Sequence, residues 1–143
     1  MGVPSVTSDD VSGIPAAVAA AKAADEVVLV VGQDGTIEHE GHDRTAIALS
    51  AAQQALVRQV SAAAKKPVVV VILTGGAVDV ADMLSNDKVG AIIHAGQPSV
   101  TVSGVADLIF GRAVPAGRMI QTIYDTAFAD KVSIFDFGEG RGC

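Results

Sequence analysis

Three continuous apolar runs punctuate the chain, and each ends at glycine. Glu26-Val-Val-Leu-Val-Val31 runs into Gly32, Val68-Val-Val-Val-Ile-Leu73 into Thr74-Gly75-Gly76, and Val89-Gly-Ala-Ile-Ile-His94 into Ala95-Gly96. Short unbroken apolar runs are the pattern of strands buried on both faces. The segments between them switch to a helical period. Ile14, Ala17, Val18 and Ala21 form one stripe, with Pro15 acceptable in the first turn. Leu56, Val57 and Val60 form a second, on a helix that Ser50 starts and Gln53 completes as a capping-box pattern. Lys65 and Lys66 suit the negative end of that helix, and Pro67 prevents its continuation. A short helix is predicted over roughly 78–84. Another carries Val102, Val105, Ala106 and Ile109, with Ser99 as its cap and Gly111 as its stop. Arg118-Met-Ile-Gln-Thr-Ile123 reads as a last, weaker strand. The alternation predicts an α/β fold: a mostly parallel sheet with helices on both faces, flavodoxin- or Rossmann-like.

Length and composition narrow this further. A chain of 143 residues, half of them apolar, is long enough to bury one core and too apolar to be disordered. Residues 1–137 are expected to form a single domain, and 138–143 a loose tail. The formal charge of −6, with no basic run, argues against a nucleic-acid or anionic-membrane partner. No apolar run reaches the length of a membrane span. Met1-Gly2-Val3-Pro4-Ser5 lacks a basic region followed by an apolar core, so no signal peptide is visible, and Val6 spoils a myristoylation signal. Cys143 is the single cysteine, which excludes an intramolecular disulfide and a cysteine-built zinc site.

The chemistry concentrates in one stretch, Ile37-Glu38-His39-Glu40-Gly41-His42-Asp43-Arg44. It follows the first strand and the turn Gly32-Gln33-Asp34-Gly35, at the carboxyl edge of the sheet, where open α/β folds place ligands. Three readings compete. As a metal site the residues offer suitable nitrogen and oxygen donors, but the spacing is H-E-x-H on a loop rather than H-E-x-x-H on a helix, so no metal is assigned. As a carboxylate pair, Glu38 and Glu40 would lie on one face of an extended segment about 7 Å apart, a separation seen in glycosidases. Two residues of one short segment cannot flank a sugar from opposite sides, so one would need a carboxylate from elsewhere. As a solvated acidic turn, the loop would have Arg44 paired with Asp43 or a glutamate. Neither G-x-G-x-x-G nor G-x-x-x-x-G-K-[ST] is present, and no cofactor is assigned.

The order of these pieces resembles the C-terminal α/β domain of glycoside hydrolase family three, in its β-xylosidase and α-arabinofuranosidase-like branch, related to β-glucosidases. The resemblance starts in Ala24-Asp25-Glu26-Val27-Val28-Leu29-Val30-Val31-Gly32 and the acidic loop. It continues through Gln53-Gln-Ala-Leu56, Pro67-Val-Val-Val-Val-Ile-Leu73, Gly75-Gly-Ala-Val-Asp79, Val89-Gly-Ala-Ile-Ile93 and Ala95-Gly96, and closes in Ala106-Asp-Leu-Ile-Phe-Gly111 and Pro115-Ala-Gly-Arg118. Each motif is modest; their ordered series over residues 14–137 is specific. The resemblance implies a barrel domain that holds the sugar and supplies an aspartate nucleophile, while the α/β domain supplies the acid/base glutamate of a retaining, exo-acting β-glycosidase. The family's E-x-E-x-x-D-R pattern falls on Glu38, Glu40, Asp43 and Arg44. It points to Glu40 as the acid/base residue, with Glu38 as the alternative, and to His39, Asp43 and Arg44 as substrate-binding. The implied substrate is a xylo- or gluco-oligosaccharide, in carbohydrate metabolism and plant cell-wall breakdown, and the family suggests an extracellular setting.

Two departures stand out. His94-Ala-Gly-Gln-Pro-Ser99 occupies the place of Trp-Ala-Gly-Tyr-Pro-Gly-Gln, so both aromatics are replaced. The barrel domain is absent from the sequence, so the chain reads as a domain or fragment inactive by itself. The alternative is a non-catalytic flavodoxin-like small-molecule domain, or a carbohydrate-binding one. With no tryptophan and a single tyrosine, Tyr124, the chain lacks the flat aromatic platform that sugar-binding modules use.

Overall fold

The computed structural model describes residues 2–98 and 102–133. Eight elements follow in order: α1 (Ile14–Ala23), β1 (Val28–Gly32), α2 (Ala51–Ala63), β2 (Val68–Leu73), α3 (Ala81–Leu84), β3 (Val89–Gly96), α4 (Ser103–Ile109) and α5 (Thr126–Lys131). The three strands make a parallel sheet in the order β1-β2-β3. This is an α/β fold, and its strands are the three apolar runs.

Strand register builds the core. Leu29 lies opposite Val70 and Val31 opposite Ile72, so one face of the sheet carries a continuous apolar layer. Ile14 and Ala21 of α1 and Leu56, Val57 and Val60 of α2 close over it. Val68, Val70 and Ile72 are fully buried. Burial of each such side chain contributes about 1.5–3 kcal/mol. The opposite face of β1 stays open: Val28 and Val30 are 42% and 57% exposed. β1 pairs with β2 on one edge and with no other named strand on its outer edge among the described residues.

Several local expectations meet a different outcome. Ser50 does cap α2, its hydroxyl accepting the Gln53 N–H at 3.4 Å. The Gln53 side chain does not return to the cap; it crosses to Gly32 of β1. Lys65 and Lys66 serve other groups than the end of α2. Lys65 Nζ donates to the Ala23 carbonyl at the end of α1 and to Asp25, and Lys66 pairs with Glu26. Glu26 lies outside the sheet, and β1 starts two residues later, at Val28. The helix predicted over 78–84 is one turn, Ala81–Leu84, and Val78 is a buried core residue ahead of it. Gly111 stops α4 as anticipated, with a φ of 69° after Phe110.

Residues 118–123 are not a strand. Met119 and Ile120 are exposed, and no ladder pairs them. A strand needs a neighbour to pair with, and among the described residues none pairs with this segment. α5 follows it, where the sequence pattern predicts no helix. The cap expected at Ser99 and the tail 138–143 lie outside the described residues.

Candidate functional site

The acidic loop rises from the carboxyl end of β1, and four backbone or side-chain ties fix its root. Gly32 N–H donates to Gln53 Oε1 at 2.8 Å, and Gln53 Nε2 donates to the Gly32 carbonyl at 2.9 Å. Gln33 N–H donates to the Leu73 carbonyl at 2.9 Å. The Gln33 side-chain oxygen accepts from Arg44 Nη1, which joins the two ends of the loop.

Between those ends the chain reverses twice. In the first turn Asp34 Oδ1 accepts the Thr36 N–H at 2.9 Å and the Thr36 hydroxyl, and Ile37 N–H returns to the Asp34 carbonyl at 3.0 Å. The Thr36 hydroxyl, followed by its N–H, holds the Asp34 carboxyl below the usual aspartate range. In the second turn His39 and His42 exchange both backbone hydrogen bonds, at 3.1 and 2.9 Å. Glu40 and Gly41 are the two residues at its tip. Gly41 has a φ of 81°, the left-handed conformation that side chains resist.

The two glutamates therefore have different surroundings. They do not lie along one extended segment, because the turn at 40–41 intervenes. Glu38 Oε2 meets Arg44 Nε at 3.1 Å, and the arginine side chain is only 11% exposed. Gly76 leaves room for this pair: a β-carbon there would stand 2.7 Å from Arg44 Nη2 and 3.0 Å from Glu38 Oε2. Glu40 is exposed, and none of the hydrogen bonds or ion pairs among the described residues engages its carboxylate. Asp43 is likewise exposed. The His39 ring stacks on His42, with centroids 5.2 Å apart, and its Nδ1 lies 3.0 Å from the Gly35 carbonyl.

Beside Glu38 a polar cavity of about 250 Å³ opens at the sheet edge, lined by Gln33, Asp34, Glu38, Thr74, Gly76 and Gln97. Gln97 is one of the two departures from the aromatic pattern, and its amide lies over Gly75. The other, His94, sits in β3 opposite Ile72, with Nε2 buried and without a hydrogen-bond partner among the described residues. Gln33, Gln53 and Gly76 support the loop without having been singled out for it. Gly76 belongs to the glycine pair after β2, Gln33 to the turn after β1, and Gln53 to the Ser50 capping pattern, none of which points to a role in this loop. Among the described residues no three metal-ligating side chains converge, and no helix is long and apolar enough to cross a membrane.

A parallel sheet with a carboxylate-bearing loop at its carboxyl edge defines a domain of the open-sheet α/β class. Its family is shown by comparison. The model described as "Glycosyl hydrolase family 3 C-terminal domain" matches residues 6–140, and the chain belongs to that family. "Probable beta-D-xylosidase 7" of Arabidopsis thaliana is 45% identical over 121 residues, which are 83% of this chain and 16% of the relative. A solved family 3 exo-β-xylosidase in complex with a xylobiose aziridine activity-based probe superposes with a TM-score of 0.85 and 37% identity, covering 91% of this chain and 17% of the other. A β-glucosidase from Kluyveromyces marxianus in complex with glucose gives a TM-score of 0.68 and 30% identity, over 78% and 13%. The chain spans about one sixth of the length of the xylosidases it matches.

Proposed function

We propose that residues 1–137 form the C-terminal domain of a retaining, exo-acting β-xylosidase-like glycosidase, and that Glu40 is its acid/base residue. The domain completes a site with a barrel domain that supplies the aspartate nucleophile, and it is inactive alone. The observation that carries the choice of glutamate is the split between the pair. Glu38 is committed to Arg44 and packed on Gly76, whereas Glu40 stands uncommitted at the tip of a tight turn.

The mechanism follows from that placement. Glu40 gives its proton to the leaving oxygen while the barrel aspartate attacks the anomeric carbon. The same carboxylate then takes a proton from the water that releases the sugar. Asp43, exposed just beyond the turn, contacts the sugar or its leaving group, and His39 borders the tip. Arg44 acts from the loop root through Glu38 and Gln33. A xylo- or gluco-oligosaccharide from plant cell-wall polysaccharide is the substrate class, supported by the xylosidase and β-glucosidase relatives.

The test is a chimera in which this domain replaces its counterpart in an active β-xylosidase. Glu40→Ala is expected to slow aryl xylosides with poor leaving groups by about 10²- to 10⁴-fold, and those with good leaving groups far less. Azide should partly restore breakdown of the covalent intermediate, because an anionic nucleophile needs no general base. If Glu38→Ala shows this pattern instead, the assignment moves by two residues. If neither does, the loop is a structural acidic turn.

A further inference from the structure

We propose that His39 and His42 are positioning residues for Glu40: their stacked rings clasp the two ends of the turn and fix the direction in which it presents the carboxylate. The chemical consequence rests on Glu40 being the acid/base residue; the clasp itself stands on geometry alone.

His39 and His42 face each other across a single antiparallel rung, exchanging both backbone hydrogen bonds. Directly opposed residues of such a pair put their side chains on the same side, so the rings can meet across it. They do, with centroids 5.2 Å apart and planes inclined by 20°. The first ring is itself anchored, Nδ1 to the Gly35 carbonyl at 3.0 Å, which ties the second turn back to the first.

Little else holds the tip. A lone two-residue hairpin in water is marginal. The salt bridge from Arg44 to Glu38 secures the root, on the near side of the rung. Among the described residues no hydrogen bond or ion pair orients the Glu40 carboxylate, and Gly41 beside it is the most permissive residue available. Rigid presentation of Glu40 must therefore come from the rung and the rings that cover it. A misplacement of about 1 Å at a reacting group can cost about 10²-fold in rate.

The geometry also ranks the substitutions. At position 42 a phenylalanine keeps the stack. At position 39 it keeps the stack but loses the bond to Gly35. Serine at either position removes the clasp while leaving the backbone free to form the rung.

The first readout is amide hydrogen exchange and cross-turn ring contacts by NMR in the 143-residue chain. His42→Ser is expected to abolish slowed exchange at the His39 and His42 amides, and His42→Phe to retain it, with global unfolding unchanged in both. The second readout is the β-xylosidase chimera. His42→Ser should lower kcat for poor-leaving-group xylosides about tenfold or more, with KM little changed and good-leaving-group substrates spared. His42→Phe should restore it, and His39→Phe should fall between. Equal behaviour of the serine and phenylalanine variants at position 42 would overturn the clasp, and the chimera decides alone if the isolated chain does not hold its fold. If Glu40→Ala leaves the chimera unaffected while the exchange pattern holds, the acid/base reading falls and the clasp stands. If Glu40→Ala slows it and His42→Ser does not, the positioning role is lost.

Discussion

Gln53 pairs with Gly32 as a neighbouring strand would. Its side-chain oxygen accepts the glycine N–H at 2.8 Å, and its side-chain nitrogen donates to the glycine carbonyl at 2.9 Å. Both residues are buried. A helix side chain thus finishes the ladder of β1 at the point where the acidic loop departs, and the loop inherits a fixed origin.

Gln53→Leu should therefore be costly for its size. It strands a buried donor and a buried acceptor, each worth about 1–3 kcal/mol when unsatisfied. The expected loss is about 3 kcal/mol, read as a lower urea midpoint at unchanged slope. Gln53→Glu keeps only the accepting half and should also be destabilising. A change below about 0.5 kcal/mol for the leucine variant would show that water replaces the amide.

Gly76→Ala probes the loop root from outside. The added carbon falls within 3.0 Å of both Arg44 Nη2 and Glu38 Oε2, so the ion pair must move. The fold should lose only about 1–2 kcal/mol, because side chains rather than backbone give way. The loop should open far more than that, and trypsin should cut after Arg44 faster than in the unaltered chain. Unchanged cleavage would mean that the pair shifts without releasing the loop.

Asp79 should make the packing of α5 acid-sensitive. Its carboxylate accepts Ala81 N–H at 2.9 Å and both the N–H and hydroxyl of Thr126 at 2.7 Å. Burial pushes this carboxyl up, but the hydrogen bonds from Ala81 and Thr126 outweigh it and hold it below the ordinary aspartate value of 3.8. A depressed native value means stability that is fully present above pH 3.8 and is lost as pH falls through the native value. Asp79→Asn should weaken the attachment of α5 by about 1 kcal/mol at neutral pH and flatten this acid dependence. NMR shifts of Thr126 across an acid titration check both.

The isolated chain should not hydrolyse nitrophenyl xylosides, arabinosides or glucosides, since the proposed mechanism needs a second carboxylate on the far side of the sugar. Turnover by pure protein, abolished by Glu40→Gln, would refute the dependence on a barrel.

Much of this was readable along the chain, and the exceptions share a cause. The three strands, the stripe of α2 and the Ser50 cap are local or nearly local patterns, and they recur in the structure. Met119 and Ile120 read as part of a weaker strand, yet Ile120 is 97% exposed, because pairing depends on a partner that the local pattern does not reveal. The Ser50 and Gln53 spacing fits a capping box. The glutamine nevertheless goes to Gly32, where two buried backbone groups offer two bonds in place of one. In the site, residue types were informative and roles were not. That Arg44 chooses Glu38, rather than Asp43 or Glu40, follows from two chain reversals and a glycine on another loop.

The open face of β1 has a consequence for the chain in solution. Val28 and Val30 present exposed apolar surface along a strand whose outer edge is unpaired among the described residues, a template for copies to meet. The net charge of −6 holds copies apart at low ionic strength. Salt removes that barrier, since the screening length falls to about 10 Å at 0.1 M and about 3 Å at 1 M. Light scattering from the isolated chain should therefore rise with added sodium chloride, and Val30→Lys should blunt the rise by placing a charge on the edge itself. The dispersion of the isolated chain is thus expected to be colloidal in origin, set by the buffer in which it is kept as much as by its fold.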